Sequence, residues 1–487
     1  MTGLLHPVGF GRRNVGERTE RIILDKRANA GSRRLGRHTQ AWGDHQVVSL
    51  FLDRCQVDSP VDLVAAIWRL VHELRPEVGK VVDFGAGDGR FALHGRFREY
   101  VGYEVDAARS RGAALPSNAR LLHSCAFAGT VGDADLCIGN PPFVRNQDLP
   151  TGWRQQAAAV LRSRTGVDVS GLANAWQYFF LLALASTVAD GLCALVVPYE
   201  WVSRPSALAL RNYIASCGWD VHVHRLADTT FNRVLTTACI TLVDKKGGAG
   251  RWLYSDVGPD GPARPLASPS GAPDGVMRYT RRSDIRPGAP RAVRGLSPGT
   301  QEVFTLTEGQ RARLGLSPGR DVVPCVTSLR PLPPGKLVLD AAAFRDHYRE
   351  AGRRCWLVKT DRPLSAGLNA YFASVPEQLR ETSTCREREA KGRPWWEFRM
   401  PLAPPALASM SFKGPFPKAA RNDVGACAVG SVCSVYGVTA EQADLLAGGF
   451  GGLDIRGQIV PHSNGLRKIE ISQLNGLLDG LLSGASG

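Results

Sequence analysis

The sequence contains no pair of cysteines at the Cys-x-x-Cys spacing typical of structural zinc sites, although it has 11 cysteines. An odd number of cysteines spread along the chain does not favour a disulfide scaffold either. The histidines His6, His94, His222, His224 and His462 lack ligand-like spacing, so no metal site is predicted. We therefore expect buried, reduced thiols in a cytoplasmic protein.

The sequence also lacks an apolar run that is long and unbroken enough to cross a membrane. Its most apolar stretch, residues 178–198, is interrupted at Asp190 and Gly191, where the pattern changes from helical to strand-like. This change predicts a buried helix, a turn and a strand, and no membrane partner is expected. Arginines appear from Arg12 onward, before an apolar segment can follow Met1, so a secretion signal is not expected.

Acidic residues are fewer than basic ones. The 487 residues include 60 Lys and Arg against 45 Asp and Glu, which gives a formal net charge of +15. Such a surplus favours an anionic partner, above all nucleic acid, because neutralising each phosphate releases counterions. With 44% hydrophobic and 22% charged residues, the composition is globular and excludes a disordered or collagen-like chain. The length predicts about three domains, or two large ones.

Strand-like and helical segments alternate between residues 47 and 246. This alternation predicts an α/β fold with a parallel, doubly wound sheet. The predicted strands are residues 80–85, 99–106, 120–123, 134–139, 193–198, 220–226 and 237–243. The predicted helices include residues 61–75, which follow the start signal Asp58-Ser59-Pro60, and residues 107–114, 175–188 and 205–217.

The composition changes along the chain and predicts four regions. Residues 1–37 are rich in Lys and Arg, which predicts a basic N-terminal arm or a solvated, partly helical tail. Residues 38–246 form the predicted α/β domain. Residues 247–299 are rich in Gly and Pro, which favours a linker or a small irregular β region. Residues 300–487 combine short strand-like runs with aromatic and basic clusters, which predicts a mixed α+β domain.

A glycine-rich turn follows the first predicted strand. Asp83 lies near the end of that strand, and Gly85, Gly87 and Gly89 come directly after it, where glycines let the backbone approach a ligand closely. The spacing is not the Gly-x-Gly-x-x-Gly of dinucleotide-binding folds. Glu104 follows on the next strand, where an acid can accept hydrogen bonds from ribose hydroxyls. Together these residues predict a nucleoside-binding turn that opens a helix; a plain strand-to-helix turn is the alternative.

Asn140, Pro141, Pro142 and Phe143 follow the predicted strand at residues 134–139. An exocyclic amine on an aromatic ring is a poor nucleophile, because its lone pair is delocalised. The Asn140 amide oxygen and the Pro141 carbonyl can each accept one amino hydrogen and localise that pair, while the prolines fix the carbonyl direction. The Phe143 ring offers a face for stacking on a planar base. The segment therefore predicts a site for methyl transfer to such an amine; a rigid turn is the alternative.

At these two motifs the chain resembles the DNA amino-methyltransferases of the gamma motif order, in which a cofactor motif, a catalytic motif and a target-recognition region follow one another. The resemblance covers residues 33–246 well. In the remainder, only the order of the regions along the chain is similar. It implies a Rossmann-like class I methyltransferase sheet over residues 38–246, S-adenosyl-L-methionine as the cofactor, and a DNA target-recognition domain over residues 300–487. Asn-Pro-Pro-Phe implies the N6 amino group of adenine as acceptor. The catalytic residues implied are Asn140, Pro141, Pro142 and Phe143.

The resemblance also implies a set of cofactor-binding residues. His38 and Thr39 stand where the family carries an upstream cofactor-contacting motif, with Gln40 in place of its proline. The acid expected after the third strand is absent, so Phe127 or Asp135 would contact the cofactor adenine instead. The glycine loop and the acid after the second strand complete the set, as Asp83, Gly85, Ala86, Gly87, Gly89 and Glu104.

Aromatic and basic residues further along the chain are candidates for contact with DNA. Phe231 matches the position at which this family packs an aromatic ring against the flipped base, opposite Phe143; a core phenylalanine is the alternative. In the C-terminal half, basic residues interleave with aromatic ones, which suits phosphate and sugar contacts, although a tryptophan pair in the core would give the same pattern. The predicted DNA-binding residues are Arg393, Trp395, Trp396, Lys413, Lys418 and Arg421.

Three functions remain open on the sequence. The first is a site-specific adenine-N6 methyltransferase of double-stranded DNA, with a separate restriction endonuclease or phage-defence component as an expected partner. The second is a protein glutamine methyltransferase, because a side-chain amide poses the same lone-pair problem; the basic, aromatic C-terminal half disfavours it. The third is a binding protein that keeps the fold without turnover. No nuclease domain is expected, because neither space for one nor an acidic cluster with lysine is evident.

Overall fold

The computed structural model describes residues 57–129, 132–227, 230–231, 237–257, 264–266, 268, 285–455, 459, 461–463 and 466–483. All of them belong to one unit, Gly43–Gly487, defined by its internal contacts. The basic arm predicted for residues 1–37 lies outside the described residues. Within the described ranges, no helix combines the length and the apolarity needed to span a membrane.

The first half of the described chain alternates strands and helices. The α-helices are α1 (Val61–Leu74), α2 (Thr151–Thr165), α3 (Ala175–Ser186) and α4 (Leu208–Ser216). The strands are β1 (Val78–Phe84), β2 (Phe97–Tyr103), β3 (Ala119–Leu122), β4 (Ala134–Gly139), β5 (Thr187–Pro198), β6 (Asp220–Leu226), β7 (Ala238–Asp244), β8 (Trp252–Val257) and β9 (Arg264–Pro265). Short 3₁₀-helices are Arg90–Leu93, Asn146–Asp148, Tyr199–Val202 and Pro205–Ala207.

These strands form one sheet in the order β3-β2-β1-β4-β5-β7-β6-β8-β9. The pairs among β1 to β5 are parallel, as the alternation of strands and helices predicts. The expectation of a wholly parallel sheet is wrong at β7, which lies antiparallel between β5 and β6. A parallel strand needs a crossover of a dozen or more residues, and the connection at residues 227–237 is too short for one.

Three predicted elements differ from the structure. β5 continues through Asp190 and Gly191, because a register shift against β4 absorbs the extra residues in place of the predicted turn. The predicted helix at residues 107–114 is a series of turns, since Ser110 and Gly112 disfavour a helix. The glycine-rich turn is followed by a single 3₁₀ turn, not by an α-helix.

α1 packs across the large sheet through its apolar face. Leu63, Ile67 and Val71 are buried in one hydrophobic cluster with residues of β1, β4 and β5. The indole N–H of Trp68 donates to the Phe91 carbonyl at 2.7 Å. Because Phe91 lies in the 3₁₀-helix after the glycine-rich turn, this bond ties α1 to that turn.

The second half of the described chain is a mixture of short strands and helices, as predicted for residues 300–487. The α-helices are α5 (Gln301–Phe304), α6 (Glu308–Arg313), α7 (Ala341–Phe344), α8 (Ala366–Ser374), α9 (Ser383–Ala390), α10 (Ala440–Gly452) and α11 (Ile471–Ser483), with a π-helix at Arg345–Arg349 and a 3₁₀-helix at Glu377–Leu379. The strands are β10 (Arg291–Arg294), β11 (Thr305–Thr307), β12 (Val322–Val326), β13 (Val338–Leu339), β14 (Arg354–Val358), β15 (Ala406–Ser409), β16 (Ser411–Phe412), β17 (Ala419–Asn422), β18 (Cys427–Ala428), β19 (Val432–Tyr436), β20 (Pro461–Ser463) and β21 (Leu466–Lys468).

The strands of this half form three further sheets, in the orders β10-β19-β15-β17-β13, β11-β14-β12-β18 and β16-β21-β20. β8 and β9 join the large sheet and β10 joins the second, so the described parts of residues 247–299 are shared between the two halves. Glu470 pairs with Arg204 at 3.2 Å and with Arg294 at 3.3 Å. Since Arg204 lies shortly after β5, these ion pairs hold the second half near the carboxyl end of β5.

Candidate active site

The glycine-rich turn and the Asn-Pro-Pro-Phe turn lie side by side at the carboxyl edge of the large sheet. They follow neighbouring parallel strands, because Asp83 near the end of β1 pairs with Ile138 near the end of β4. A Cβ placed on Gly85 would lie 3.6 Å from Pro142 Cδ, so the two turns are close neighbours. The sheet topology therefore brings the two predicted motifs together.

Hydrogen bonds to the end of β2 hold the glycine-rich turn in place. The backbone N–H groups of Gly85 and Ala86 both donate to the Tyr103 carbonyl, at 2.8 and 3.0 Å. The Gly87 N–H donates to Glu104 Oε2 at 2.9 Å. Gly87 has a φ of 60°, a conformation that residues with a side chain rarely adopt. A Cβ on Gly87 would lie 3.3 Å from Arg109 Nη2, so the Arg109 guanidinium lies beside the turn at this glycine.

Glu104 lies directly after β2 and is only 8% exposed. Its two carboxylate oxygens accept hydrogen bonds from the backbone N–H groups of Gly87 and Asp106, both at 2.9 Å. These bonds fix the carboxylate beside the turn, and each oxygen keeps a lone pair for a further donor. Gly89, with a φ of 77°, ends the turn and precedes the 3₁₀-helix. The predicted loop and the predicted acid therefore lie together.

Asp83 is a fully buried carboxyl group between the ends of β1 and β4. The Tyr100 hydroxyl donates to Oδ2 at 2.7 Å, whereas no described residue donates to Oδ1. A Cβ on Gly139, whose φ is 147°, would collide with Oδ1. Burial raises the pKa of Asp83 from 3.8 to about 7; the Tyr100 bond opposes this rise, and the nearby Glu104 carboxylate adds to it.

The Asn140 amide group is oriented by residues that precede α1. Its Nδ2 donates to Ser59 Oγ at 3.2 Å and to the Val57 carbonyl at 3.4 Å. No residue in the described part of the chain donates to Asn140 Oδ1. Pro141 is buried, while Asn140, Pro142 and Phe143 are partly exposed. The oxygen end of the amide is therefore the end that remains for a ligand.

Residues 57–60, which we call the strap, are not among the predicted site residues. Ser59 is 4% exposed, and its carbonyl accepts a hydrogen bond from Arg90 Nη1 at 2.6 Å. Arg90 also pairs with Asp58 at 3.1 Å and with Asp88 at 2.7 Å, so it joins the strap to the glycine-rich turn. The only sequence signal here is a Ser-Pro before an amphipathic helix. Such a pair is typical of an ordinary helix start, so it does not indicate a functional site.

The structure places two further aromatic candidates in hydrophobic contacts. Phe127 is 8% exposed and packs edge-on against Trp153 and Phe179, with ring centroids 5.4 and 5.2 Å away. Phe231 is partly buried and packs against the hydrophobic cluster of the large sheet. The core alternative for Phe231 thus has structural support, and its stacking on a base stays a prediction.

For three predicted cofactor-binding residues, a place at this site is either outside the described residues or contradicted. His38 and Thr39 lie outside the described residues. Asp135 lies at the start of β4, where its Oδ2 accepts a hydrogen bond from the Lys80 N–H at 2.6 Å. It lines a cavity of about 860 Å³ at the amino edge of the sheet. The prediction that Asp135 contacts the cofactor adenine is therefore corrected, because the length of β4 separates it from the glycine-rich turn.

The two tryptophans predicted to contact DNA belong to the core of the second half. Trp395 is 8% exposed and packs against Phe304 and Phe372, with ring centroids 5.9 and 5.7 Å away. Trp396 is partly buried and stacks on Phe372, with ring centroids 5.0 Å apart. Because an enclosed ring cannot stack on a nucleotide, the prediction for Trp395 is corrected in favour of the core alternative.

The basic candidates for DNA contact differ in how far their charges are available. Arg393 and Lys413 are exposed, and no described residue binds either side chain. Lys418 is half-buried, its Nζ donates to two main-chain carbonyls, and burial lowers its pKa. Arg421 forms ion pairs with two aspartates. Arg393 and Lys413 therefore offer the charges that are most free to meet phosphate.

The residues at the carboxyl edge fit a nucleoside-bearing cofactor. The Gly87 backbone N–H and the Glu104 carboxylate that it binds lie together at the turn, and Asp83, whose buried Oδ1 accepts from no described residue, lies near the end of the strand just before it. Over the described ranges, no group of His, Cys, Asp and Glu is arranged to hold a metal ion. The described residues of this site would therefore bind a ligand through hydrogen bonds and shape.

Comparison with known proteins gives a partial sequence match. Residues 110–234, which include the Asn-Pro-Pro-Phe turn and Phe231, match the sequence model of the Eco57I restriction-modification methylase family. The type II methyltransferase M.XamI of Xanthomonas campestris pv. amaranthicola is 28% identical in a 177-residue alignment that covers 33% of this chain and 33% of that protein. The alignment therefore spans about a third of that relative's length.

Solved structures with a partial likeness include two restriction-modification proteins. The methyltransferase subunit of a type I restriction-modification system from Streptococcus thermophilus aligns with a TM-score of 0.35 and 14% identity, over 41% of this chain and 47% of that chain. The type IIG restriction endonuclease BpuSI aligns with a TM-score of 0.37 and 12% identity, over 91% of this chain and 62% of that chain. Values this low carry no functional argument. Over residues 110–234, the sequence itself matches the Eco57I family of restriction-modification methylases.

Proposed function

We propose that this protein is a site-specific DNA methyltransferase that transfers a methyl group from S-adenosyl-L-methionine to the N6 amino group of an adenine flipped out of double-stranded DNA. The observation that carries the proposal is the close approach of the Asn-Pro-Pro-Phe turn to the glycine-rich turn. The family match over residues 110–234 supports a restriction-modification setting, with a separate endonuclease or phage-defence component as partner.

Asn140 Oδ1 and the Pro141 carbonyl accept the two hydrogens of the target amine in this mechanism. Because Nδ2 of Asn140 is already engaged by the strap, Oδ1 is the end left for the substrate. Two acceptors on the amino hydrogens draw the lone pair out of conjugation with the ring. No protein general base is required, since the amine gives its proton to water after the new nitrogen–carbon bond has formed and the sulfur–carbon bond has broken.

The glycine-rich turn and the two carboxyl groups beside it hold the cofactor in this mechanism. Glu104 accepts hydrogen bonds from the ribose hydroxyls, and the backbone at Gly85, Ala86 and Gly87 packs beside the cofactor. When bound, the cofactor supplies a methyl group carried on a sulfonium. Phe127, within its aromatic cluster, is the remaining described candidate for contact with the cofactor adenine.

The flipped base is held by stacking and the DNA backbone by charge. Phe143 and Phe231 enclose the adenine, which offsets an unstacking cost of a few kcal/mol, about 2 to 4. Arg393 and Lys413 contact phosphates, because both are exposed and no described residue binds either side chain. Such contacts position the duplex without reading its sequence.

Transfer of a radiolabelled methyl group to duplex DNA tests the proposal. The full-length protein is mixed with labelled cofactor and with plasmid DNA from a methylation-free host, and the Asn140→Ala variant serves as the control. The proposal expects label in the DNA with the wild-type protein only. Label that stays out of DNA, or that appears on a glutamine-bearing protein substrate instead, contradicts it.

A further inference from the structure

We propose that Ser59 is a positioning residue for the catalytic amide: its hydroxyl holds Asn140 Nδ2 so that Oδ1 is the end presented to the target amine. This inference rests on the proposed function and adds to it a residue outside both predicted motifs. Its basis is the hydrogen bond from Asn140 Nδ2 to Ser59 Oγ, at 3.2 Å.

The two ends of the Asn140 amide differ in what they can bind. They are almost equal in size but opposite in hydrogen-bonding sense, and rotation about χ2 of asparagine is broad. If Nδ2 faced an amine, two donors would meet and the amine lone pair would not be localised. A site of this kind therefore needs an acceptor that binds Nδ2 from the far side. Ser59 Oγ and the Val57 carbonyl, at 3.4 Å, are the described acceptors in that place.

Burial makes the Ser59 hydroxyl hard to replace. Ser59 is only 4% exposed, so water does not readily replace its hydroxyl as a partner. Its hydroxyl lies closer to Asn140 Nδ2 than the Val57 carbonyl does, 3.2 Å against 3.4 Å. Removing the hydroxyl leaves the amide with its longer bond alone. The amide then rotates more freely and spends less time with Oδ1 in the productive direction.

Ser59 is itself held in place by contacts of the strap with two arginines. Arg90 Nη1 donates to the Ser59 carbonyl at 2.6 Å, and two further bonds from Arg90 to Asp88, at 2.9 and 2.7 Å, fix the guanidinium. Asp58 pairs with both Arg90 and Arg109. The strap is thus anchored to Arg90, directly after the glycine-rich turn, and to Arg109, which follows β2, and this makes it a rigid support for the amide.

The test compares Ser59→Ala, Ser59→Thr and a matched control, Ser186→Ala. Ser186, in α3, is also buried, but its hydroxyl has no hydrogen-bond partner among the described residues. We expect Ser59→Ala to lower kcat by about tenfold, with cofactor affinity within about twofold of the wild type. Ser59→Thr keeps the hydroxyl and should keep most of the activity. Ser186→Ala should not change kcat.

A double-mutant cycle with Asn140→Ala separates positioning from a general structural role, and it decides the matter even if Ser59→Thr folds poorly. If Ser59 acts through the Asn140 amide, Ser59→Ala has almost no further effect on single-turnover rates once that amide is gone. An equal loss in both backgrounds overturns the inference, as does a loss of cofactor affinity in place of kcat. If the wild type is active and Ser59→Ala has the same kcat, this inference alone is wrong. If the wild type is inactive, the proposed function is wrong as well.

Discussion

Replacing the buried Asp83 by asparagine should remove a pH-dependent loss of stability. The folded protein holds the Asp83 proton until the pH reaches about 7, whereas the unfolded chain releases it near 3.8. Between these values the folded state binds more protons than the unfolded state, so the free energy of unfolding of the wild type falls as the pH rises. Above pH 7 both states are ionised, and the contribution of Asp83 no longer changes.

The magnitude follows from the size of the shift. One pKa unit corresponds to about 1.4 kcal/mol, so a rise from 3.8 to about 7 amounts to about 4 kcal/mol. Asparagine keeps the shape of the side chain and does not ionise. From pH 5 to pH 7, Asp83→Asn should therefore gain about 2 kcal/mol in free energy of unfolding relative to the wild type.

Urea unfolding at pH 5, 6, 7 and 8 measures this difference directly. Tyr100→Phe is the matched control: the Tyr100 hydroxyl donates to Asp83 and lowers its pKa, so its loss should extend the falling limb above pH 7. A difference between wild type and Asp83→Asn that stays constant from pH 5 to pH 8 would refute the reasoning.

Three further predictions concern the turn, the strands beneath it and the basic surface. Asn140→Ala should lower kcat by about a hundredfold or more with cofactor affinity nearly unchanged; steady-state kinetics and cofactor titration check this, and an unchanged kcat contradicts the assigned role. Gly139→Ala should lower the free energy of unfolding by about 2 kcal/mol or more, because its Cβ collides with Asp83 Oδ1 at a φ of 147°. Gly152→Ala, whose new Cβ would have no described atom within 4 Å, is the matched control in urea unfolding, and equal effects of the two changes would count against this packing. Lys413→Ala should reduce the salt slope of DNA binding by about one unit, whereas Arg421→Ala should leave it nearly unchanged because Asp423 and Asp444 already neutralise Arg421. Equal slopes for Lys413→Ala and the wild type would show that Lys413 does not touch phosphate.

Much of the first half of the fold follows from the sequence, because alternating strands and helices leave a strong pattern. The predicted strand at residues 134–139 coincides with β4, and the parallel core from β1 to β5 follows from the same alternation. The direction of β7 depends instead on the length of its connection to β6. The continuation of β5 through Asp190 depends on pairing with β4, which local turn propensity overlooks.

The adjacency of the two motifs could be predicted, because loops after neighbouring parallel strands share the carboxyl edge of a sheet. The role of the strap could not be predicted. A serine before a helix is typical of a helix start, and nothing in the sequence indicates that its hydroxyl binds the Asn140 amide. The role of Trp395 was equally hidden, since basic residues beside aromatic ones stack within the protein as well as on DNA. Arg380 lies 5.2 Å from the Trp395 ring, and Arg362 lies 5.4 Å from the Trp396 ring.

The central claim is that Asn140 and Pro141 hold the amino group of a base in DNA while that amine takes the methyl group of S-adenosyl-L-methionine. The most direct measurement is the chemical identity of modified nucleosides in DNA from a methylation-free host that expresses the full-length protein. The account predicts N6-methyladenine at one recurring sequence, and its disappearance with Asn140→Ala. Unmodified DNA, or a methyl group found on cytosine instead, would contradict it.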